Sequence, residues 1–163
     1  MRPLQLSMLP LLLAAVLPTS TAAQSARLGQ LEANASPLTL HFTPSDEHKP
    51  VWLLGLTNVA ADGTVVSGAV FSNSFGQPCV TAQWGQRYLG VSGRDKWYWQ
   101  WTVGPVYGYV APYDKKVPLN YRGLSPVVIP SLGYQWTDKA SLQFTLLGNS
   151  ALMLQLAWQM TDR

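Results

Sequence analysis

The sequence contains few charged residues. Asp, Glu, Lys and Arg make up only 12% of its 163 residues, whereas ordinary soluble domains contain about 25%. This composition is unusual for a soluble protein. The net charge of +3 is small and no basic cluster accompanies it, so we expect no nucleic-acid partner.

Cysteine and histidine are also scarce. Cys79 is the only cysteine, which excludes an internal disulfide. The two histidines, His41 and His48, are far from Cys79 in the sequence, so the usual nitrogen and sulfur metal ligands are scattered. We therefore predict no metal site and no cofactor. Cys79 itself is interpreted as a residue of the wall, and His48 as a solvated loop residue.

Long apolar runs are absent after the first two dozen residues. The run from Leu9 to Leu17 follows Arg2 and precedes Pro18 and small residues. It is too short for a membrane-spanning helix, which needs about 20 apolar residues. Residues 1–23 are predicted to be a secretory signal peptide, cleaved near Ala22 or Ala23, with a membrane anchor as the alternative.

The remaining chain is rich in aromatics and in short alternating runs. With 7 Trp, 7 Tyr and 13 Gly, an exported chain of this kind is typical of a transmembrane β-barrel. Residues 24–35 are unassigned, either a short amphipathic helix or a loose leader. Eight strands are then predicted within residues 36–163: Ser36–Thr43, Pro50–Asn58, Thr64–Ser74, Cys79–Leu89, Lys96–Tyr109, Ser125–Gln135, Ala140–Leu147 and Ser150–Met160.

Short turns between these runs, such as Asp62-Gly63, favour an up-and-down order. The predicted fold class is therefore all-β, an eight-stranded antiparallel up-and-down transmembrane β-barrel. A barrel of eight strands has a narrow interior that side chains fill or that holds one small ligand. A soluble eight-stranded carrier is the alternative, but it should carry charged outward faces, and the last two runs show none.

The alternation also assigns faces to residues. Trp97, Trp99 and Trp101 share one face of the fifth run, which suits lipid tails and the membrane interface. In the last run, the leucines from Leu152 to Leu156 face one way together with Trp158. Small residues expected to face inward, and to leave room for a chain there, are Gly55, Gly68 and Gly104.

Polar residues with catalytic potential end two of the runs. His41 lies on the polar face at the end of the first run, and Asn73-Ser74 ends the third. In an up-and-down barrel these two strands run in the same direction, so both ends should meet at one rim. Acyl transfer needs a base, a hydroxyl and oxyanion donors. His41 could serve as the base, Ser74 as the activated hydroxyl or a carbonyl-polarising group, and Asn73 as an amide donor or orienting group. The structural alternative is a polar interior histidine and an Asn-Ser turn.

From Leu38 to Met160 the chain resembles the outer-membrane lipid A palmitoyltransferases. These small eight-stranded barrels move a palmitoyl chain from a phospholipid to lipid A. The resemblance lies in four segments: Leu38–Phe42, Pro50–Leu56 with the Asp62-Gly63 turn, Phe71–Phe75, and the proline-interrupted Val127–Tyr134.

The resemblance implies a function and a site. His41 and Ser74 fall on the family's catalytic positions, and Asn73 falls on its aspartate, so the carboxylate is replaced by an amide. The implied partners are a phospholipid acyl donor and a lipid A acceptor, the implied location is the outer membrane of a Gram-negative envelope, and we expect a membrane-embedded monomer. The proline-interrupted strand would let lipid enter sideways, and the interior would act as a hydrocarbon ruler. A non-catalytic barrel with a structural or envelope-protective role is the alternative.

Overall fold

A computed structural model describes residues 29–160, which form a β-barrel. Connections contain two short 3-10 turns, Val91–Gly93 and Asp114–Lys116. None of the described residues belongs to a helix long and apolar enough to cross a membrane. The strands are β1 (Gln30–His41), β2 (Leu53–Val59), β3 (Thr64–Ser72), β4 (Pro78–Leu89), β5 (Trp97–Tyr107), β6 (Leu124–Gln135), β7 (Ala140–Leu147) and β8 (Ala151–Gln159).

The eight strands close on themselves. Each strand pairs antiparallel with the next one in sequence, and β8 pairs antiparallel with β1. Closure removes the free sheet edges that would otherwise leave a row of backbone N–H and C=O groups unpaired. The predicted eight-stranded antiparallel up-and-down order is confirmed.

The first strand begins at Gln30, ahead of the predicted start at Ser36. Its early residues alternate between the polar Gln30, Glu32 and Asn34 on one side and small or apolar residues on the other. The apolar half of this pattern consists largely of alanine, which gives a weak strand signal. The signal peptide, residues 1–23, lies outside the described residues, as do residues 24–28 of the leader.

The outer wall is apolar. Exposed side chains along the strands form a belt around the barrel, a surface that suits lipid tails better than water. The predicted alternation in β5 is confirmed, because Tyr98, Gln100 and Thr102 are buried while the tryptophans lie on the opposite face. Members of the belt include Leu38, Leu40, Leu54, Leu56, Val66, Val70, Trp84, Val128, Leu156 and Trp158.

The barrel has two different ends. The end that holds Gln30 carries the short connections 60–63, 90–96 and 136–139, and we call it the turn end. The opposite end carries residues 42–52, 73–77, 108–123 and 148–150, and we call it the loop end. His41, the last residue of β1, and Ser74, just beyond β3, therefore both lie at the loop end.

Toward the turn end, hydrogen-bonded polar side chains fill the interior. Arg87 donates to both carboxylate oxygens of Glu32 at 2.6 and 2.9 Å, and its Nε donates to Gln100 Oε1 at 2.9 Å. The guanidinium also lies 4.2 Å from the ring centroid of Tyr98. The Tyr98 hydroxyl lies within hydrogen-bond distance of Ser141 and Gln143. This network, the polar plug, satisfies buried groups that would otherwise be costly.

Toward the loop end, the inward side chains are apolar or small. They are flanked on the same strands by exposed outward residues, which fixes their direction. This section of the interior, which we call the apolar chamber, lies directly beneath the rim that carries His41. Its lining includes Leu53, Ala69, Phe71, Val106, Val127, Ile129, Leu147 and Met153.

Of the three glycines expected to face inward, Gly55 and Gly104 do so and Gly68 does not. Gly68 is exposed on the outer wall between Val66 and Val70, so its predicted inward direction is wrong. Gly104 does face inward, but a Cβ there would lie 2.0 Å from the carbonyl oxygen of Ala82. The close approach of β4 and β5 therefore requires glycine at this position.

Candidate functional site

The loop end brings together two of the three residues predicted for the site. His41 Nε2 lies 2.6 Å from Ser74 Oγ, although the two residues are 33 positions apart in the sequence. Both residues are half-buried. If the serine hydroxyl donates to Nε2, the histidine proton is on Nδ1, and His41 is then placed to take the serine proton.

Asn73 is part of the turn and is not bonded to His41 or Ser74. It is 1% exposed, and its Oδ1 accepts hydrogen bonds from the backbone N–H groups of Phe75 at 2.9 Å and Gln77 at 3.0 Å. Its Nδ2 donates to Gln77 Oε1 at 3.2 Å. Asparagine commonly closes turns in this way. The hydrogen bonds of this turn fix the backbone of Ser74.

The loop between β1 and β2 folds back over the site. The backbone N–H of Lys49 donates to the carbonyl oxygen of Ser74 at 2.8 Å, and that of His48 donates to Ser45 at 3.0 Å. The His48 ring is half-buried, and its centroid lies 4.1 Å from that of His41. His48 lies in a loop and is partly exposed, as predicted, but its ring packs against His41 instead of standing free in solvent.

A row of rings continues from His48 across the loop end. The His48 centroid lies 5.9 Å from that of Phe75, which stacks on Tyr113 at 4.3 Å. Lys116 Nζ lies 5.1 Å from the Phe75 ring and 3.5 Å from a carboxylate oxygen of Glu47. Contacts from three loops thus join above one side of the apolar chamber.

The wall next to the chamber has two interruptions. β6 pairs with β7 only from Ser131 to Gln135, although β6 begins at Leu124. β1 pairs with β2 only from Gln30 to Ser36, although β1 continues to His41. In β6, Pro126 and Pro130 cannot donate backbone hydrogen bonds. We call the stretch of β6 that lacks pairing with β7, residues 124–130, the β6–β7 gap.

The His41–Ser74 pair can carry out proton transfer and hydroxyl chemistry. Within residues 29–160, no group of three or more His, Cys, Asp or Glu side chains is arranged to hold a metal ion. Cys79 is buried in the barrel, in agreement with its prediction as a wall residue. The sequence analysis did not place His48 at the site. The available signal was its position seven residues after His41 across a short loop.

Comparison with known proteins identifies the fold only. No protein-family model and no curated protein matches the chain. Among solved structures, a de novo designed transmembrane β-barrel aligns with a TM-score of 0.56 and 10% identity, covering 82% of this chain and 98% of the design. The N-terminal β-barrel domain of Pseudomonas aeruginosa OprF aligns with a TM-score of 0.47 and 8% identity, covering 80% and 95%.

The designed neighbour is a transmembrane β-barrel. Together with the closed antiparallel sheet and the apolar belt, the match to the designed barrel confirms the predicted fold class, a transmembrane β-barrel of eight strands. The match to the designed barrel carries no information on chemistry, because one fold serves many functions.

Proposed function

We propose that this protein is an outer-membrane acyltransferase of Gram-negative cells that moves an acyl chain from a phospholipid to lipid A. The observation that carries the proposal is the 2.6 Å contact between His41 Nε2 and Ser74 Oγ at the mouth of an apolar chamber. A base and a hydroxyl in contact form the minimal pair for acyl transfer.

The surroundings of the pair support a lipid substrate. An acyl chain entering the chamber would contact side chains such as Phe71, Ile129 and Met153 rather than water. It would end against the polar plug, where a hydrocarbon chain gains nothing by going deeper. The β6–β7 gap gives a donor lipid a lateral route from the belt to this chamber.

In the proposed reaction Ser74 is the nucleophile and His41 the base. The serine oxygen attacks the ester carbonyl of the phospholipid while its proton moves to His41 Nε2. Collapse of the tetrahedral intermediate breaks the bond to the glycerol oxygen, which takes the proton from His41 and leaves as a lysophospholipid. A lipid A hydroxyl then attacks the acyl-serine, gives its proton to His41, and Ser74 leaves with that proton restored.

The test is a lipid A mass spectrum from cells that express the protein. We expect lipid A to gain the mass of one acyl chain, and we expect Ser74→Ala and His41→Ala to abolish the gain. Ser150→Ala is the matched control, because Ser150 is an exposed serine at the same end and bonds only its neighbour Asn149 among side chains. Loss of the gain in all three variants, or its persistence in Ser74→Ala, would contradict the proposal.

One observation favours a second candidate, a non-catalytic barrel with an envelope-protective role. Asn73 stands where the resembling family has an aspartate, and it is bonded within its own turn rather than to His41. For this candidate we expect the protein to reach the outer membrane with lipid A unchanged. A lipid A spectrum with an added acyl chain would exclude it.

A further inference from the structure

We propose that His48 is a positioning residue for His41, a second imidazole that packs against the ring of the base. In this inference the His48 ring holds the His41 ring in the orientation that accepts the serine proton. The inference rests on the proposed role of His41 as the base.

The position of His48 is fixed by contacts on several sides. The centroid of its ring lies 4.1 Å from that of His41, with 31° between the two planes. The same centroid lies 5.9 Å from that of the Phe75 ring. The next residue, Lys49, is hydrogen-bonded through its backbone to the carbonyl oxygen of Ser74. His48 is therefore attached to the same turn that supplies the serine hydroxyl.

No carboxylate competes for this role among residues 29–160. The only side-chain hydrogen bond of His41 there is the one to Ser74. The nearest carboxylate of the row of rings, Glu47, is paired with Lys116 at 3.5 Å. Glu47 and Lys49 are the sequence neighbours of His48, and Tyr113 and Lys116 contact the adjacent Phe75 ring.

The spacing of the two imidazoles dictates how they share protons. Two imidazolium rings 4.1 Å apart would repel each other strongly. A proton on one ring therefore disfavours a proton on the other. When His41 takes a proton from Ser74, a neutral His48 lies against the new imidazolium.

The two histidines make this coupling directly measurable. The sequence has no others, so a tag-free protein labelled with ¹⁵N-histidine in detergent micelles gives imidazole signals from two rings only. We would titrate the wild type, His48→Phe and His41→Phe by NMR. The phenylalanine at 48 keeps a ring against Phe75 but removes the proton site, and His48→Gln is a second variant without a ring.

We expect the two wild-type titration midpoints to differ by more than about one pH unit. The midpoints measured in the two single phenylalanine variants should lie closer together than that. Wild-type midpoints equal to those of the single variants would show that the rings do not interact, and the inference would be wrong. This measurement needs no enzymatic activity.

A kinetic measurement connects the coupling to function. In vesicles that contain donor phospholipid and lipid A, we expect His48→Phe to lower kcat by up to about 100-fold with little change in KM. The acid limb of its pH–rate profile should also move. An active wild type whose rate and pH profile are unchanged in His48→Phe would refute the role of His48 while the acyltransferase proposal stands. Coupled titrations in an inactive wild type would instead remove the proposed function.

Discussion

The ion pair inside the polar plug gives the sharpest prediction of stability. Glu32 and Arg87 are each 3% exposed, and the two nitrogens of the guanidinium lie 2.6 and 2.9 Å from the two carboxylate oxygens. The perturbation is Arg87→Met, which keeps the length of the side chain and removes its charge. Among the described residues, Glu32 would then retain the neighbouring amide of Gln30 as its one side-chain donor.

The magnitude follows from the burial of both groups. Removing one partner of a buried pair leaves an uncompensated charge, which costs about 3–5 kcal/mol. Arg87→Met also loses the hydrogen bond to Gln100 and the contact with the Tyr98 ring, so we expect the upper part of this range. A double variant, Glu32→Gln with Arg87→Met, buries no charge and should be more stable than Arg87→Met alone by about 2 kcal/mol.

The assay is guanidinium unfolding in lipid vesicles of fixed composition, followed by tryptophan fluorescence. The free energy of unfolding of the wild type, both single variants and the double variant completes a mutant cycle. The reasoning would be refuted if the two single losses simply added in the double variant. A loss below about 1 kcal/mol for Arg87→Met would refute it equally, because water would then be reaching the carboxylate.

Three further predictions concern the wall, the chamber and a buried phenol. Leu56→Arg, in the belt, should lower the free energy of unfolding in vesicles by about 2–4 kcal/mol. The control Ala61→Arg, in the exposed turn, should have little effect. Equal losses in the two variants would argue against lipid contact at Leu56. Ser125 is fully buried and its hydroxyl has no hydrogen-bond partner, so Ser125→Ala should leave unfolding unchanged or raise its free energy by about 1 kcal/mol; a clear loss would reveal a partner. Burial raises the pKa of Tyr109 to about 12, above the ordinary value of about 10. The free energy of unfolding should therefore fall as the pH rises from about 10 to 12, and Tyr109→Phe should reduce that loss in alkaline unfolding experiments. An unchanged loss in this variant would contradict the burial of the phenol.

The fold was predictable because a barrel wall has apolar and polar surroundings on its two sides. That asymmetry makes side chains alternate along each strand, and the pattern is strongest where the outward residues are large, as in β5 and β8. It is weakest at the start of β1, where the outward residues are mostly alanine. The direction of Gly68 follows only from Val66 and Val70, which share its face, because glycine has no side chain of its own to mark a face.

The site was predictable only as far as strand direction reaches. The up-and-down order brings the ends of β1 and β3 to one rim, which is why His41 and Ser74 were paired from the sequence. The engagement of Asn73 in its turn and the packing of His48 depend on loop hydrogen bonds such as that from Lys49 to Ser74. Such contacts join segments with no periodic pattern, so the sequence does not reveal them.

The polar plug has a consequence for the envelope that surrounds the barrel. A membrane protein with an opening in its wall endangers the permeability barrier, because a water-filled bore would connect the two sides. In this barrel the β6–β7 gap faces the chamber at the loop end only, while the interior toward the turn end is occupied by hydrogen-bonded side chains. A gap in strand pairing at the loop end therefore creates no continuous passage for ions or small solutes through the barrel.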